Sequence, residues 1–561
     1  MTGSALQGLL RWWLKFSKAD RFDAATWDPK QAQEDKLAEI INRNADTVYG
    51  REHGFAAIRT VRDYQARVPV NTYETLKPYI DRVLVGEAGV LTADEPLMFA
   101  TTSGTTGRAK YIPITPSYLR EYSQGLHVHT YRVLADFKDV LEGKALVSSS
   151  SDVEGYSEGG KPYGAISGYL TRTQPGLLRR FYVAPYSVCK VKQIDIKYYL
   201  MLRYSLPADV RYVVTPNPSS LLLLAEKMTA YAEPLIHDLR HGTLTLPVSP
   251  GKEDVPTNLR LPADPARASE LEGILRRTGA LEPADAWPNL RILSCWKGGT
   301  MPLYLRKLPK HYGDVPVRDL GYMASEGRGG TPLVNSGAGG VLSLTSHFFE
   351  FLPADQRDSA APEFLTGDQL SANQEYFVYF TTSSGLYRYD INDLVRVVDF
   401  YRNTPVLQFV RKGQGISSIT GEKLTESQVT AALVDVTAKP GFDVDNFTTC
   451  VEWGEPPCYA MYCELDGDWP AQKATQFLLE MDRALCRQNM EYEGKRESQR
   501  LGPPVLKRLA GGSYAAFRQK RVMEGAPEAQ VKIPHLSTDM KFGEQFLVLE
   551  EHRLHKETMP A

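Results

Sequence analysis

Apolar side chains recur at helical spacing over residues 31–56 (QAQEDKLAEIINRNADTVYGREHGFA), which predicts an amphipathic helix with its exit at Gly50 and Gly54. The pattern then changes. In VLTADEPLMFATTSGTTGRAKYIPITPSYLREYS a short strand through Met98 and Phe99 runs into a Gly/Ser/Thr loop, a second strand follows, and a helix starts after Pro116. Helical stretches such as SSLLLLAEKMTAYAEPLIHDLRHG alternate with short apolar runs such as DVRYVVT and LRILSCW, which predicts an α/β domain with parallel strands. The leucines at 221 to 224 belong to its core. From Leu342 to Val410 the pattern is strand-rich and predicts an appended sheet or distorted barrel. Two glycines interrupt RKGQGISSITGEKLTE before a capped helix from Thr425. A domain boundary there gives a large domain, 1–410, and a small mobile α/β domain, 411–561, of ordinary domain size.

The first residues, GLLRWWLKFSKADRF, are apolar only in runs broken by Arg11 and Lys15, too short for a signal peptide or a membrane span. Their aromatic stripe is expected to face a core as a terminal helix; the other reading is contact with a membrane surface. With 65 basic and 67 acidic residues the net charge is −2, which excludes the basic field that nucleic acid would require. Six cysteines without a CxxC pair suit reduced thiols in a cytoplasmic protein and give no support to a zinc site.

Four segments carry candidate chemistry. In TTSGTTGRAK (101–110), Gly104 and Gly107 let backbone N–H groups approach phosphate oxygens, while the hydroxyls of Ser103, Thr105 and Thr106 and the ammonium of Lys110 add donors. The spacing is not that of a Walker A loop, because Lys110 is followed by Tyr111. Taken alone, such a loop is equally a surface turn. GYMASEGRGG (321–330) follows a strand-like PVRDLGY and holds a single acid, Glu326, placed to bind Mg²⁺ beside substrate phosphates, with Tyr322 as an aromatic face for a purine. An isolated YxxSE is more often a tight turn with a solvated glutamate. Asp393 in GLYRYDINDLVRV could accept hydrogen bonds from both ribose hydroxyls, or pair with Arg388 or Arg396. Lys532 in AQVKIPHL is the fourth, an ordinary surface lysine by its surroundings. His237 and His241 have metal spacing but read as cations at a helix C-terminus before Gly242, and His127 and His129 have no third ligand.

The order of these segments resembles the auxin-responsive acyl acid amido synthetases, a branch of the adenylate-forming superfamily, from about Gln31 to Leu536. TVYGREHGF, VPVNTYETLKPYI, SGTTGRAKYIPIT, KPYGAISG, CWKGG, GYMASEG, FFEFLP, TTSSGLYRYDINDLVRV and GEKLTE carry the resemblance. It implies that Ser103, Thr105, Thr106 and Lys110 contact the phosphates of ATP and that Tyr322, Met323, Ala324 and Ser325 border the adenine. By the same resemblance Glu326 ligates Mg²⁺, Asp393 binds the ribose, and Lys532 reaches the acyl phosphate during adenylation. Two positions depart from the pattern. Asn392 stands where the family usually has glycine, and Val410-Arg411 stands where a glycine-arginine pair is expected at the domain joint, Arg411 being the nucleotide-binding member.

The function implied is a two-step ligase: ATP and a small carboxylic acid give an acyl adenylate and pyrophosphate, and the amine of an amino acid then takes the acyl group. Closure of the C-terminal domain is the expected device for excluding water from the anhydride. Acyl-CoA ligases share the first step and are the rival reading; a non-catalytic relative that kept the fold is the other. The stretch LVSSSSDVEGYSEGGKPYGAISGY lines the acyl pocket by the same analogy, and Arg120 is either a carboxylate partner or a surface arginine.

Overall fold

The computed structural model describes residues 3–102, 110–247, 255–299, 301–357, 359–413, 415–417, 422, 424–444, 446–454, 456–465, 467, 469–497, 501–526, 528, 531–537 and 539–554. Two compact units are present: Met1–Phe409 with Gly525–Gln530, and Val410–Glu524 with Val531–Ala561.

Among the described residues the first unit is built on three sheets. A parallel sheet takes the strands Lys144–Val147, Val210–Val214, Ile292–Ser294 and Val317–Arg318 in chain order. The helices Ile194–Ser205, Pro218–Ala230, Ala232–His241 and Pro265–Thr278 connect these strands, and Leu221, Leu224, Leu235 and Leu271 are buried in the core they share. A six-stranded sheet follows the order Phe348–Pro353, Glu375–Thr381, Tyr389–Tyr401, Thr404–Lys412, Gly339–Leu342, Gly330–Thr331. The third sheet contains the expected hairpin, with Met98–Thr102 antiparallel to Lys110–Ile114 and parallel to Pro162–Gly164. The helix after it, Pro116–Asp136, starts on Thr115, whose hydroxyl accepts from the Tyr118 N–H.

Two expectations are corrected. The single helix over 31–56 is two helices, Pro29–Arg43 and Val48–Glu52. Asn44 ends the first, its side chain donating to the Ile40 carbonyl and accepting from the Ala93 N–H. Gly50 lies inside the second helix rather than at an exit, and glycine is required there since a Cβ would strike the Asn44 carbonyl. The N-terminal helix Gly3–Leu14 does pack on the unit, but through Leu6, Gln7, Leu10 and Leu14. Its aromatic stripe points outward, with Trp12 62% and Phe16 54% exposed.

His237 and His241 stand at a helix C-terminus, as the sequence predicts, in the last turns before the closing Gly242 at φ 70°. Among the described residues no group of three or more His, Cys, Asp or Glu could hold a metal ion, and all six cysteines are free thiols. No described helix is long and apolar enough to cross a membrane.

The second unit carries a five-stranded sheet in the order Leu536–Ser537, Asn446–Glu452, Cys458–Glu464, Val505–Leu509, Val548–Arg553. The helices Glu426–Thr437 and Ala471–Gln488 accompany it, the first entered through a capping box between Thr425 and Gln428, as the sequence predicts.

Candidate active site

Four loops leave the carboxyl ends of the parallel strands, the end at which open α/β sheets bind ligands. They begin at Ser148, Thr215, Cys295 and Asp319, and cross-strand bonds continue into them: Ser148 N–H to the Val214 carbonyl, Thr215 N–H to Ser294, Cys295 N–H to Arg318. Three quoted segments, LVSSSSD, CWKGG and GYMASEG, thus meet at one end of one sheet.

GYMASEGRGG folds back on itself. Gly329 and Gly330 N–H both donate to the Tyr322 carbonyl, Met323 bridges Arg328, and Ala324 and Gly327 bond each other, which leaves Ser325 and Glu326 at the tip. The glycines here are required by close packing. A Cβ on Gly327 would come within 2.6 Å of the Phe380 ring, and one on Gly329 would overlap the Tyr322 ring. Arg328 is buried beneath the turn and donates to the Leu320 carbonyl. The Tyr118 hydroxyl, on the helix after the hairpin, donates to the Ser325 carbonyl at 2.7 Å.

The Tyr322 side chain meets two strands of the six-stranded sheet. Its ring stacks on Phe409 at 6.0 Å with planes 17° apart, and its hydroxyl donates to Asp393 Oδ2 at 2.9 Å. Asp393 reaches that position through a bulge. Glu375–Thr381 and Tyr389–Tyr401 pair in register up to Phe377 and Leu394, then resume at Tyr379 and Asp390, so extra residues lie opposite Val378. Asn392 sits in the bulge at φ 57°, the left-handed region its family counterpart glycine occupies freely and asparagine tolerates. Its N–H donates to Asp390, and its side chain accepts from Arg357, which also pairs with Asp390 at 2.7 Å. The departure from glycine is therefore held locally. Of the two suggested arginines, Arg388 pairs with Glu350 and Arg396 with Glu375.

Ser103, Gly104, Thr105, Thr106 and Gly107 lie outside the described residues, but the strands that anchor their loop do not. Thr101 donates to Glu154, a carboxyl raised by burial. On the paired strand, opposite Thr102, Lys110 holds its ammonium 5.4 Å from the centre of the Tyr73 ring. Tyr389 links this side to the turn: burial raises its hydroxyl, and the nearby charges of Glu326 and Glu74 raise it further. Glu326 is half-buried, and its charge also acts on Tyr118, Tyr122 and Tyr322. Met323 and Ala324 are half-buried beside Tyr322, and Ser325 is buried. Arg120 is exposed and donates to Ser117, as a surface arginine does. Arg411 and Lys532 belong to the other compact unit, where Arg411 lies on Thr404–Lys412 and Lys532 is exposed.

Phe409, Lys297 and Asp319 received no role from the sequence. The Gly299 N–H donates to the Phe409 carbonyl, which ties CWKGG to the strand that stacks on Tyr322. Lys297 donates to the Val317 and Asn335 carbonyls at 3.2 and 2.6 Å, and burial lowers its pKa. Asp319, two residues before Gly321, accepts from its N–H at 2.8 Å; burial pushes its carboxyl up to about 6 against the opposing pull of that N–H and of Lys297. CWKGG held Lys297, PVRDLGY held Asp319 and VLQFV held Phe409, but none of the three segments marks those side chains.

Asp319 sets a pH dependence. Between its ordinary value of 3.8 and about 6 the native chain holds a proton that the unfolded chain has lost, so this group's contribution is full below 3.8 and is lost as pH rises through about 6. Asp319→Asn keeps the acceptor for Gly321. Relative to the parent, the variant should gain about 2 kcal/mol near neutral pH, a little less than a shift of about two units allows, and nothing near pH ~4. Urea unfolding across that range checks this; parallel pH profiles for the two proteins would contradict it.

The sequence matches the GH3 family N-terminal domain over residues 18–317, its central domain over 340–412 and its C-terminal domain over 427–541. The chain is 26% identical to jasmonoyl-L-amino acid synthetase GH3.5 of Oryza sativa subsp. japonica, covering 92% of this chain and 93% of that one. It is 28% identical to probable indole-3-acetic acid-amido synthetase GH3.12 of the same plant, over 91% and 92%. Among solved structures it resembles GH3.15 acyl acid amido synthetase with a TM-score of 0.82 at 23% identity, covering 95% and 96% of the two chains. A complex of AtGH3.15 with 2,4-DB gives 0.83 at 22% identity, covering 96% and 97%.

Proposed function

The chain belongs to the GH3 family, and on that footing we propose that it is an ATP-dependent acyl acid amido synthetase, a ligase that joins a small carboxylic acid to the amine of an amino acid. The observation that carries the nucleotide site is the convergence of Tyr322, Phe409 and Asp393 at the carboxyl end of the parallel sheet. Tyr322 and Phe409 supply aromatic faces for an adenine, and Asp393 is an acceptor for ribose hydroxyls. Lys110, at the foot of the 103–109 loop, supplies positive charge toward the phosphates, with Ser103, Thr105, Thr106 and the backbone around Gly104 and Gly107 as further donors. Met323, Ala324 and Ser325 border the base.

Glu326 fits Mg²⁺ as a single protein carboxylate, because that ion keeps waters and phosphate oxygens for its other positions and needs no cage of acids. When bound, the ion would neutralise phosphate charge. In the first step a carboxylate oxygen of the acid bonds to the α-phosphorus of ATP as pyrophosphate leaves. In the second, the amine nitrogen attacks the acyl carbon, loses a proton, and AMP leaves. Arg411 and Lys532 enter this reading from the resemblance alone, as a joint residue and as a donor to the acyl phosphate, with a division of domains at 410 and 411. A cytoplasmic site of action is part of the same proposal. The amino acid as acceptor is supported by the name of the jasmonoyl-L-amino acid synthetase, and amide formation by that of the indole-3-acetic acid-amido synthetase.

AMP release measured with a panel of carboxylic acids, once with amino acids and once with CoA as acceptor, tests the reading. Amine-dependent release is expected; release that depends on CoA and ignores amines would make the chain an acyl-CoA ligase.

A further inference from the structure

The N-terminal helix has a face that the described residues leave largely open, the edge-to-face contact of Trp13 with His127 at 6.2 Å lying at its border. Gly3–Leu14 is fixed in place: Gln7 is 3% exposed, donates to the Leu134 and Phe137 carbonyls and accepts from the Leu141 N–H, while Leu14 packs with Val133, Leu134 and Ile292. A Cβ on Gly3 would strike the Leu141 carbonyl, so the helix start is pressed against its support. The outward face is therefore presented by a rigid element and is not waiting to fold inward.

That face carries Leu9, Trp12, Trp13 and Phe16, spaced three and four apart, all about half exposed or more. Trp12 and Phe16 meet edge to face at 5.3 Å, and the helix continues as a π-turn over Lys15–Ala19. Residues 3–19 contain Arg11, Lys15 and Lys18 and no acid. Lys15 lies 4.8 Å from the Phe16 ring and pairs with Asp20 beyond the stripe. Aromatic and aliphatic side chains on one sector with basic ones beside them are the pattern of a helix lying in a lipid interface, where indole rings favour the headgroup level.

We infer that residues Leu9 to Lys18 dock this protein peripherally onto an anionic lipid surface, the aromatic stripe entering the headgroup boundary and the basic residues facing lipid charge. Charge decides between this occupant and a second copy. A two-fold dimer through the stripe sets the same patch against itself, bringing like charges together, whereas anionic headgroups complement them.

Flotation of the full chain with vesicles of phosphatidylcholine, with and without phosphatidylserine, tests the inference. Recovery with the phosphatidylserine vesicles is expected, with a blue shift of tryptophan emission and release by high salt. Trp12→Ser, Trp13→Ser and Phe16→Ser together should lower recovery about tenfold while leaving the melting temperature and carboxylate-dependent pyrophosphate exchange unchanged. No recovery of the parent chain, or equal recovery of the triple variant, would overturn it. So would a dimer in light scattering that the triple variant converts to monomer without any flotation.

Discussion

Lys110→Ala is expected to lower carboxylate-dependent ATP–pyrophosphate exchange by about two to three orders of magnitude, the usual effect of removing one preorganised donor from developing phosphate charge. The unfolding midpoint should hardly move. Lys110 is half-buried at the end of a short strand, paired across the hairpin with Thr102, and its ammonium meets the Tyr73 ring rather than a carboxylate in any described ion pair. Removing it therefore leaves no buried acid without a partner. Lys110→Arg keeps the charge but replaces a compact ammonium by a planar fork, and should restore only part of the exchange. Exchange that survives Lys110→Ala within a factor of about three would remove the phosphate role; equal loss of exchange and of thermal stability would make the lysine a structural residue.

How much of this site could be read beforehand depends on the range of the interactions that build it. The hairpin around 103–109 and the helix start at Thr115 were legible because alternation, turn residues and a capping hydroxyl act within a few positions. Glu326 was placed correctly beyond a strand for the same reason. Asp393 was legible as a chemical type but not as a neighbour: its contact with Tyr322 depends on a bulge opposite Val378, which no local pattern marks. Phe409 lies in VLQFV, which reads as any core strand, and only the tertiary fold sets it against Tyr322.

The failures have physical causes as well. The break at Asn44 interrupts a helical period that continues on both sides, because one side chain satisfies the Ile40 carbonyl and the Ala93 N–H together. At the N-terminus the period was right and the face was wrong. Leu6, Leu10 and Leu14 already form an apolar edge that the core accepts, so the larger aromatic residues are left outside. Arg388 and Arg396 lie near Asp393 in sequence, yet Arg388 reaches Glu350 across the intervening strand Glu375–Thr381 and Arg396 reaches Glu375 on the adjacent one.

Arg388 leads to the largest expected loss of stability. Its Nε lies 2.9 and 3.1 Å from the two oxygens of Glu350, its Nη1 donates to the Gln65 and Val68 carbonyls, and the Phe364 ring covers the guanidinium at 4.5 Å. Both side chains are buried, and burial raises the Glu350 carboxyl in spite of the pairing. Arg388→Met should destabilise the unit by about 3–5 kcal/mol, because it leaves a buried carboxylate with only Gln65 as a donor. Pairing that change with Glu350→Leu removes the stranded charge and should return about half of the loss; the Gln65 and Val68 carbonyls still lack their donor. Denaturant unfolding of the four proteins closes the cycle, and simple additivity would mean that the pair does not interact. The consequence extends to the proposed nucleotide site. Glu350 and Arg388 flank the strand Glu375–Thr381, whose far register contains the bulge that aims Asp393 at Tyr322. Weakening the pair should therefore raise the KM for ATP in pyrophosphate exchange even at temperatures where Arg388→Met remains folded, and the double variant should recover KM along with stability.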